Sequence, residues 1–217
     1  MERLNHELLS AADLTDGQAV LDVGCGFGGT LFSIAAQHRG MRLAGVNIDG
    51  RQLHYARRAV PAHFVQADAL HLPFADESFD RVLAVECIFH FASRLGFLRE
   101  AARVLKPGGR LALSDFVPRF AGGGGFSEFL ARRVAVGYGE AAAGWREGRY
   151  RDIARNAGLR LTLERDISRQ TLPTYPALYR LIDESHGLGK KLLWPTRILH
   201  GLAWSGLMRY HIVAFER

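Results

Sequence analysis

The sequence contains few cysteines and no long apolar run. Its two cysteines, Cys25 and Cys87, form no CxxC pair and accompany no histidine pair at zinc-finger spacing, so neither a disulfide framework nor a structural zinc site is indicated. No apolar stretch approaches the ~20 residues of a membrane-spanning helix, and residues 1–18 lack the apolar core of a signal peptide. These absences predict reduced thiols, no membrane span and a cytoplasmic location.

Lysine is also scarce, although the chain is basic. The formal net charge is +6 and the pI is about 9.7, which would permit a polyanionic partner. However, the basic residues are almost all arginine and occur at most in pairs, such as Arg57-Arg58, Arg132-Arg133 and Lys190-Lys191. Scattered pairs are more typical of a solvated surface than of a nucleic-acid track, so no nucleic-acid partner is expected.

The strongest local signal lies between Val20 and Thr30. An apolar run that contains Asp22 leads into a turn with glycines at positions 24, 26, 28 and 29. This pattern predicts a buried strand over 19–23, a tight turn and a helix over 30–38. Glycines let a ligand lie against the backbone, and the amides that open the next helix carry a partial positive charge. The turn is therefore predicted to bind a small molecule.

The glycine spacing alone does not identify that molecule. Gly24, Gly26 and Gly29 also satisfy the dinucleotide fingerprint GxGxxG. Asp22 at the end of the strand would repel a pyrophosphate but attract an amino group. The acid therefore favours S-adenosylmethionine over NAD.

Strand-like and helix-like segments alternate along the first half of the chain, and this alternation predicts a parallel sheet covered on both faces. The expected strands are 19–23, 42–47, 63–66, 81–86, 110–115, 159–167 and 207–215, and the expected helices are 2–12, 30–38, 50–59, 94–105, 126–136, 150–157, 174–186 and 191–206. The fold class expected is α/β: a doubly wound, Rossmann-like, mostly parallel seven-stranded sheet with an antiparallel edge strand and a helical lid.

Three phrases between Val20 and Asp115 carry a family resemblance. They are the acid before GxGxG, the HLPF sequence that begins at His71, and LKPGG, which begins at Leu105. With these phrases the chain resembles the class I S-adenosylmethionine-dependent methyltransferases, and it is most similar to small-molecule O-methyltransferases of the natural-product type. The resemblance implies that S-adenosylmethionine is the methyl donor and S-adenosylhomocysteine the product.

The resemblance also implies which residues contact the donor. Asp22 would attract its amino group, Asn47 would bond to the ribose hydroxyls where the family usually has an acid, and Asp68 would accept from the adenine amine. The expected donor contacts are Asp22, Gly24, Cys25, Gly26, Asn47, Ile48, Asp68, Ala69 and Glu86. The alternatives are that Asn47 is an ordinary turn residue, that Asp68 caps a turn and that Glu86 is structural.

Transfer of a methyl group to a hydroxyl requires a base. His90 follows the fourth strand and Asp115 closes the fifth, so we expect His90 to deprotonate the acceptor and Asp115 to support it. Residues 86–91 look like the corresponding segment of natural-product O-methyltransferases, which supports this hypothesis. The alternative is that His90 packs against the core or caps a helix. The other histidines lack paired metal-ligand spacing, and no metal is expected.

One domain is expected over 1–217, with a cofactor-binding half at 1–116 and a substrate-side half at 117–217. Helices within about 174–206 are expected to form the lid over the acceptor. The aromatic residues expected in this roof are Trp145, Tyr150, Tyr175, Tyr179, Trp194 and Trp204. The region around Trp194 could instead form a homodimer face or lie on a membrane surface, although Pro195 and Arg197 argue against insertion.

Together these features predict methylation of a small-molecule acceptor, most simply at oxygen. Methylation at carbon or nitrogen of a small molecule is an alternative. Methylation of RNA or protein, which the charge would favour, and a non-catalytic binding role remain further alternatives.

Overall fold

The computed structural model describes residues 2–119, 149–184 and 188–217. Its helices are α1 Glu2–Ala12, α2 Gly29–Gln37, α3 Gly50–Ala59, α4 Arg94–Val104, α5 Arg149–Asn156, α6 Ser168–Thr171, α7 Thr174–Glu184 and α8 Leu188–Trp204. Its strands are β1 Ala19–Val23, β2 Arg42–Asn47, β3 His63–Gln66, β4 Phe79–Ala84, β5 Leu105–Pro118, β6 Arg160–Asp166 and β7 Met208–Glu216. The predicted helix 126–136 and Trp145 lie outside the described residues.

The seven strands form one mixed sheet in the order β3-β2-β1-β4-β5-β7-β6. Strands β1 to β5 pair in parallel. β7 runs antiparallel to β6. Arg160 bonds to Glu216 and Thr162 bonds to Ala214, so the partners on β7 move backward along the chain as β6 moves forward. The predicted fold class, including its antiparallel edge, is confirmed.

Residue type explains why the centre of this sheet is buried. All five residues of β1 are buried, and Val82, Leu83 and Leu111 on the neighbouring strands have no exposed surface. Parallel strands with helices on both faces require such continuous apolar runs. The edge strand β6 instead alternates between half-buried and exposed residues, as an edge allows.

The chain divides into two compact units. The first contains Met1–Asp115, Tyr150–Glu164 and Ile212–Arg217, and the second contains Phe116–Arg149 and Arg165–His211. All the residues predicted to bind the donor or to act as the base fall in the first unit.

The predicted bounds of β4 and β5 are wrong at both ends. β4 begins at Phe79 rather than at Arg81, and β5 continues to Pro118, so Asp115 lies within the strand and does not close it. β4 ends at Ala84, so Glu86 does not close the strand but follows it with a backbone φ of 52°. β5 begins at Leu105 rather than at residue 110, because Leu105 already pairs with Phe79. The register then shifts so that Arg110 pairs with Arg81, and the LKPGG sequence is absorbed as an irregularity in the strand.

No helix within residues 2–119, 149–184 and 188–217 is both long enough and apolar enough to cross a bilayer.

Candidate functional site

The turn after β1 is held against two neighbouring strands. The N–H groups of Gly24 and Cys25 both donate to the carbonyl of Val46, at 2.7 and 3.0 Å. Gly24 has a φ of 76°, and a Cβ on it would lie 2.7 Å from Cβ and Sγ of Cys87. Only glycine satisfies this combination of backbone angle and close approach.

These hydrogen bonds fasten the turn to β2, so the N–H groups of Gly24 and Cys25 are engaged within the protein. The amides expected from the sequence to face the ligand are those that open the next helix. The positions of Gly24 and Cys25 therefore shape the turn. Any ligand contact that they make involves atoms other than these two N–H groups.

The start of α2 leaves room beside the turn. A Cβ added to Gly29, the first residue of α2, would have no neighbouring atom within 4 Å, and one on Gly26 would meet only Oε1 of Gln52 at 3.8 Å. The N-cap residue Gly28 supplies no side-chain cap to the helix. Open space at uncapped helix amides suits a polar ligand.

Asp22 is the most unusual group at this edge of the sheet. Its side chain is 1% exposed, and Oδ1 has no hydrogen-bond partner among the described residues. Burial raises the pKa of Asp22 from 3.8 to about 7. A buried acceptor oxygen without a partner is costly, and a cationic ligand group would relieve that cost.

Asn47, at the end of β2, presents an acceptor oxygen. Its Nδ2 lies 3.3 Å from the backbone oxygen of Asp49 and 2.7 Å from Oε1 of Gln52. Because a backbone oxygen can only accept, the atom that faces Asp49 must be the nitrogen. This leaves Oδ1 as the acceptor that a ribose hydroxyl would need. The next residue, Ile48, is 72% exposed, which is unusual for a large apolar side chain.

Asp68 lies in the turn after β3. Its Oδ1 accepts a hydrogen bond from the N–H of Leu70 at 2.9 Å, so one oxygen does cap a turn. The residue is exposed and the following Ala69 is buried. The turn geometry is thus established, whereas a contact of Asp68 or Ala69 with adenine stays a prediction.

The segment after β4 packs on the glycine turn. Cys87 donates from Sγ to the carbonyl of Val23 at 3.1 Å, and the ring of Phe91 would lie 3.7 Å from a Cβ on Gly24. Glu86, in the left-handed region, donates from its N–H to Oγ of Ser114 at 2.9 Å. Such backbone strain in a non-glycine residue is common at functional sites.

Both thiols at this edge are buried and protonated. Burial, together with the charge of Asp22, raises the pKa of Cys25 and of Cys87. Neither thiol therefore has the thiolate character that reactive cysteines require.

His90 ends a short 3₁₀ turn, Ile88–His90, in this same segment. The turn is closed by a hydrogen bond from the N–H of His90 to the carbonyl of Cys87, and the imidazole packs against the ring of Phe89 at 4.5 Å. The residue remains exposed to solvent. Partial burial of the ring lowers the pKa of His90 below its ordinary value of 6.5. The imidazole is thus largely neutral at pH 7 and able to accept a proton.

Asp115 lies in a buried ion pair that the sequence did not suggest. Its two oxygens accept from Nε and Nη2 of Arg94 at 2.8 and 3.0 Å, and Oδ2 also accepts from the hydroxyl of Tyr150 at 2.7 Å. Burial opposes the charge of Arg94, but Asp115 outweighs it and raises the pKa of Arg94. Direct support of His90 by Asp115 stays a prediction, since the described partners of the carboxylate are Arg94 and Tyr150.

Two aromatic residues assigned to a roof from the sequence have other roles. Tyr150 is 1% exposed and belongs to the ion-pair cluster. Tyr175 is buried in a small core with Leu199 and Met208. No sequence pattern links Arg94 to Tyr150, because their common partner, Asp115, is far from both along the chain.

Comparison with known proteins identifies the family. The sequence model described as "Methyltransferase domain" matches residues 21–113, which include the glycine turn and His90. The methyltransferase GfsG of Streptomyces halstedii is 38% identical over 214 residues, which is 94% of this chain and 72% of that protein. The chain belongs to the class I S-adenosylmethionine-dependent methyltransferases. It is accordingly an enzyme that uses S-adenosylmethionine.

One further relative agrees with this assignment, and one solved structure agrees with the fold. This methyltransferase is 39% identical over 183 residues to the 27-O-demethylrifamycin SV methyltransferase of Amycolatopsis mediterranei, covering 80% of this chain and 65% of that protein. The structure of geranyl diphosphate C-methyltransferase from Streptomyces coelicolor, solved with Mg²⁺, geranyl diphosphate and S-adenosyl-L-homocysteine, superimposes with a TM-score of 0.81. At 16% identity, with 100% of this chain and 80% of that chain covered, it shows the fold alone.

The residues of this methyltransferase fit the donor on chemical grounds. Asp22 offers an unsatisfied buried oxygen to a cationic amino group, and Asn47 offers an acceptor to a ribose hydroxyl. The exposed side chain of Ile48 offers an apolar surface to an adenine ring. The open space at Gly29 leaves room for the ligand to reach the backbone.

Proposed function

We propose that this methyltransferase transfers the methyl group to a hydroxyl oxygen of a small-molecule acceptor, with His90 as the general base and Asp115 in a supporting role. The acceptor oxygen must be deprotonated as it attacks, so the enzyme needs a neutral base beside the donor. His90 is the histidine that lies in the segment packed on the glycine turn after β1, which we call the donor turn.

The observation that carries the proposal is the contact between the two segments. Cys87 lies against Gly24 closely enough to exclude a Cβ there, and its thiol is bonded to Val23 at the end of β1. His90 follows Cys87 by three residues in a closed 3₁₀ turn. The base is therefore fixed on the segment that touches the donor turn, which favours precise positioning.

The name of one relative supports a small-molecule acceptor that is methylated at oxygen. The name of the Amycolatopsis mediterranei relative specifies an O-demethylated rifamycin as what it methylates. This chain spans 65% of that relative, so the acceptor itself is not transferred by the comparison. What we carry over is the class: an oxygen atom on an organic small molecule.

Each residue has a proposed part in the reaction. S-adenosylmethionine, when bound, supplies an electrophilic methyl group. Asp22 and Asn47 hold the two ends of the donor through its amino group and its ribose. His90 takes the hydroxyl proton of the acceptor onto its neutral imidazole. Asp115 supports His90 through Arg94, since the ion pair fixes the first turn of α4 four residues beyond the histidine.

The remaining donor contacts are proposed from the same arrangement. Ile48 packs beside the adenine, Asp68 accepts from its amine, and Ala69 donates its backbone N–H to the ring. Glu86 lies near the methionyl end. Gly24, Cys25 and Gly26 shape the turn against which that end rests. Independence from metal ions and a cytoplasmic location stay predictions as well.

The proposal is tested by following transfer of a ¹³C-methyl group from labelled donor to a panel of hydroxylated small molecules. The expected product is a methyl ether, which NMR distinguishes from a C-methyl or N-methyl product. Labelling of RNA or protein in place of every small molecule would contradict the proposal.

The base is tested with His90→Gln and a matched control, His63→Gln, which alters an exposed histidine on β3. We expect kcat to fall about 10²- to 10⁴-fold in His90→Gln with donor affinity unchanged. The control is expected to keep full activity. If His90→Gln keeps kcat within about threefold of wild type, His90 is not the base.

A further inference from the structure

Helix α8 exposes two tryptophans on the side opposite its packed residues. Leu199 is 2% exposed and lies in a core with Tyr175 and Met208, whereas Trp194 and Trp204 are 70% and 78% exposed. Large aromatic side chains with this much exposure are rare on a surface that contacts only water.

Among residues 193–204 of α8, the exposed residues share one face of the helix. Trp194, Arg197, Gly201 and Trp204 are all exposed. At 3.6 residues per turn these positions fall within an arc of about 80°, and at 1.5 Å per residue the two tryptophans are about 15 Å apart along the axis. The helix thus presents a narrow face with an indole near each end and a guanidinium between them. We call Trp194, Arg197, Gly201 and Trp204 the tryptophan face.

The charge of this region is positive. The α8 sequence contains Lys190, Lys191 and Arg197 and no acidic residue. Across residues 174–204, which include α7, there are four Lys or Arg residues against two acids, Asp183 and Glu184. The whole chain carries a formal net charge of +6. A partner of the tryptophan face should therefore be anionic as well as partly apolar.

We propose that the tryptophan face lies on the surface of a bilayer that contains anionic phospholipid. Tryptophan prefers the headgroup region of a bilayer, where its ring is buried and its N–H can bond to polar groups. Each nearby Lys or Arg adds attraction to an anionic leaflet. A basic helix with aromatic residues along one face is typical of segments that lie in the interface plane.

The positive charge of Arg197 favours a lipid surface over a second copy of the chain. Two-fold symmetry would bring the tryptophan face of one copy near that of the other, so that Arg197 would approach its own equivalent. Like charges at such an interface are unfavourable, whereas an anionic bilayer neutralises them. Arg197 and Pro195 also keep α8 at the surface rather than in the hydrocarbon.

The test is co-sedimentation of the protein, residues 1–217, with vesicles of phosphatidylcholine alone and of phosphatidylcholine mixed with phosphatidylglycerol. Binding is expected to the mixed vesicles, with a blue shift of tryptophan fluorescence and weakening at high salt. Trp194→Ala combined with Trp204→Ala is expected to weaken binding about tenfold or more, and Arg197→Glu to weaken it as well.

The matched control is Phe32→Ala, which removes an aromatic side chain that is 57% exposed from α2. It should bind vesicles as the wild type does, and circular dichroism should show that every variant is folded. The proposal is overturned if the wild type ignores anionic vesicles or if the double tryptophan variant binds them unchanged. It is also overturned if the tryptophan variants dissociate a dimer while lipid binding is absent.

Discussion

Arg94 holds the carboxylate of Asp115 at two points, with Nε 2.8 Å from Oδ2 and Nη2 3.0 Å from Oδ1. The side chains are 7% and 0% exposed, so the pair is almost completely removed from water. A buried pair of this kind adds little net stability over an apolar pair, but losing one partner leaves a buried charge uncompensated. Asp115 is therefore expected to matter for stability before it matters for chemistry.

The first prediction concerns Asp115→Asn. Loss of the carboxylate leaves the buried guanidinium of Arg94 without its counter-charge. The free energy of unfolding should therefore fall by about 3–5 kcal/mol. Tyr150→Phe removes the hydroxyl that donates to Asp115 and keeps the ion pair, so it should cost only about 1–2 kcal/mol. Urea unfolding of both variants checks the order, with Asp183→Asn as an exposed control. Equal losses in all three variants would contradict the assignment of the ion pair.

The second prediction separates two glycines of the donor turn. Gly24→Ala introduces a Cβ 2.7 Å from Cys87 at a left-handed backbone position, so it should lower the unfolding free energy by about 2 kcal/mol or more. Gly29→Ala meets no neighbouring atom and should fold normally. If the donor occupies the open space at Gly29, that variant should nevertheless bind S-adenosylhomocysteine about tenfold more weakly by calorimetry. Unchanged binding in Gly29→Ala would show that the donor does not occupy that space.

The sequence predicted the parts of the fold that depend on local patterns. β1, β2 and β3 were predicted with their observed bounds, because each is an apolar run ended by a turn signal. The end of β4 was misjudged, since Val85 and Glu86 continue the strand-like pattern. The chain instead turns at Glu86, whose φ is 52°, and the next residue, Cys87, packs on Gly24.

In the candidate site, too, the features set by local sequence were predictable and those set by contacts between distant segments were not. The position of Asp22 followed from its place before the glycines, but its unpartnered oxygen and raised pKa depend on burial between neighbouring strands. The hydrogen bonds from Gly24 and Cys25 to Val46 join different strands, so no local pattern reports them. The Arg94–Asp115 pair was missed for the same reason.

The third prediction concerns Asn47. Its Nδ2 is occupied by Gln52 and by the backbone of Asp49, so Oδ1 is the atom left for the donor. Asn47→Ala should weaken S-adenosylhomocysteine binding about tenfold, the effect of one lost hydrogen bond with its partner left unsatisfied. Asn156→Ala, an exposed asparagine at the end of α5, is the control. Wild-type affinity in Asn47→Ala would make Asn47 an ordinary turn residue.

The fourth prediction concerns the pH dependence of turnover. Partial burial lowers the pKa of His90, and the neutral form is the one that accepts a proton. With the donor held at saturation, so that the ionisation of Asp22 does not limit binding, kcat/KM for the acceptor should increase through that lowered pKa as pH rises and become level near pH 7. The rising limb should lie below the ordinary histidine value of about 6.5. A limb that lies above this value, or one that persists in His90→Gln, would assign the titration to another group.

The fifth prediction concerns the cost of the buried acid. Because the pKa of Asp22 is raised from 3.8 to about 7, the folded state binds more protons than the unfolded state between these values. The contribution of Asp22 to stability therefore falls as pH rises through this window, by about 1.4 kcal/mol per unit at most. Asp22→Asn should exceed the wild type in unfolding free energy at pH 8, and this difference should shrink as pH falls toward 4. A less stable variant at pH 8 would contradict the raised pKa.

The most direct test of the account is calorimetric titration of S-adenosylhomocysteine into the wild type and Asp22→Asn. The account predicts that the wild type binds more tightly as pH rises from 6 to 7.5, because the ligand's amino group favours the ionised carboxylate. Asp22→Asn should bind about 100-fold more weakly, with no such pH dependence, while remaining folded. Affinity within about threefold of wild type in Asp22→Asn would show that Asp22 does not hold the donor.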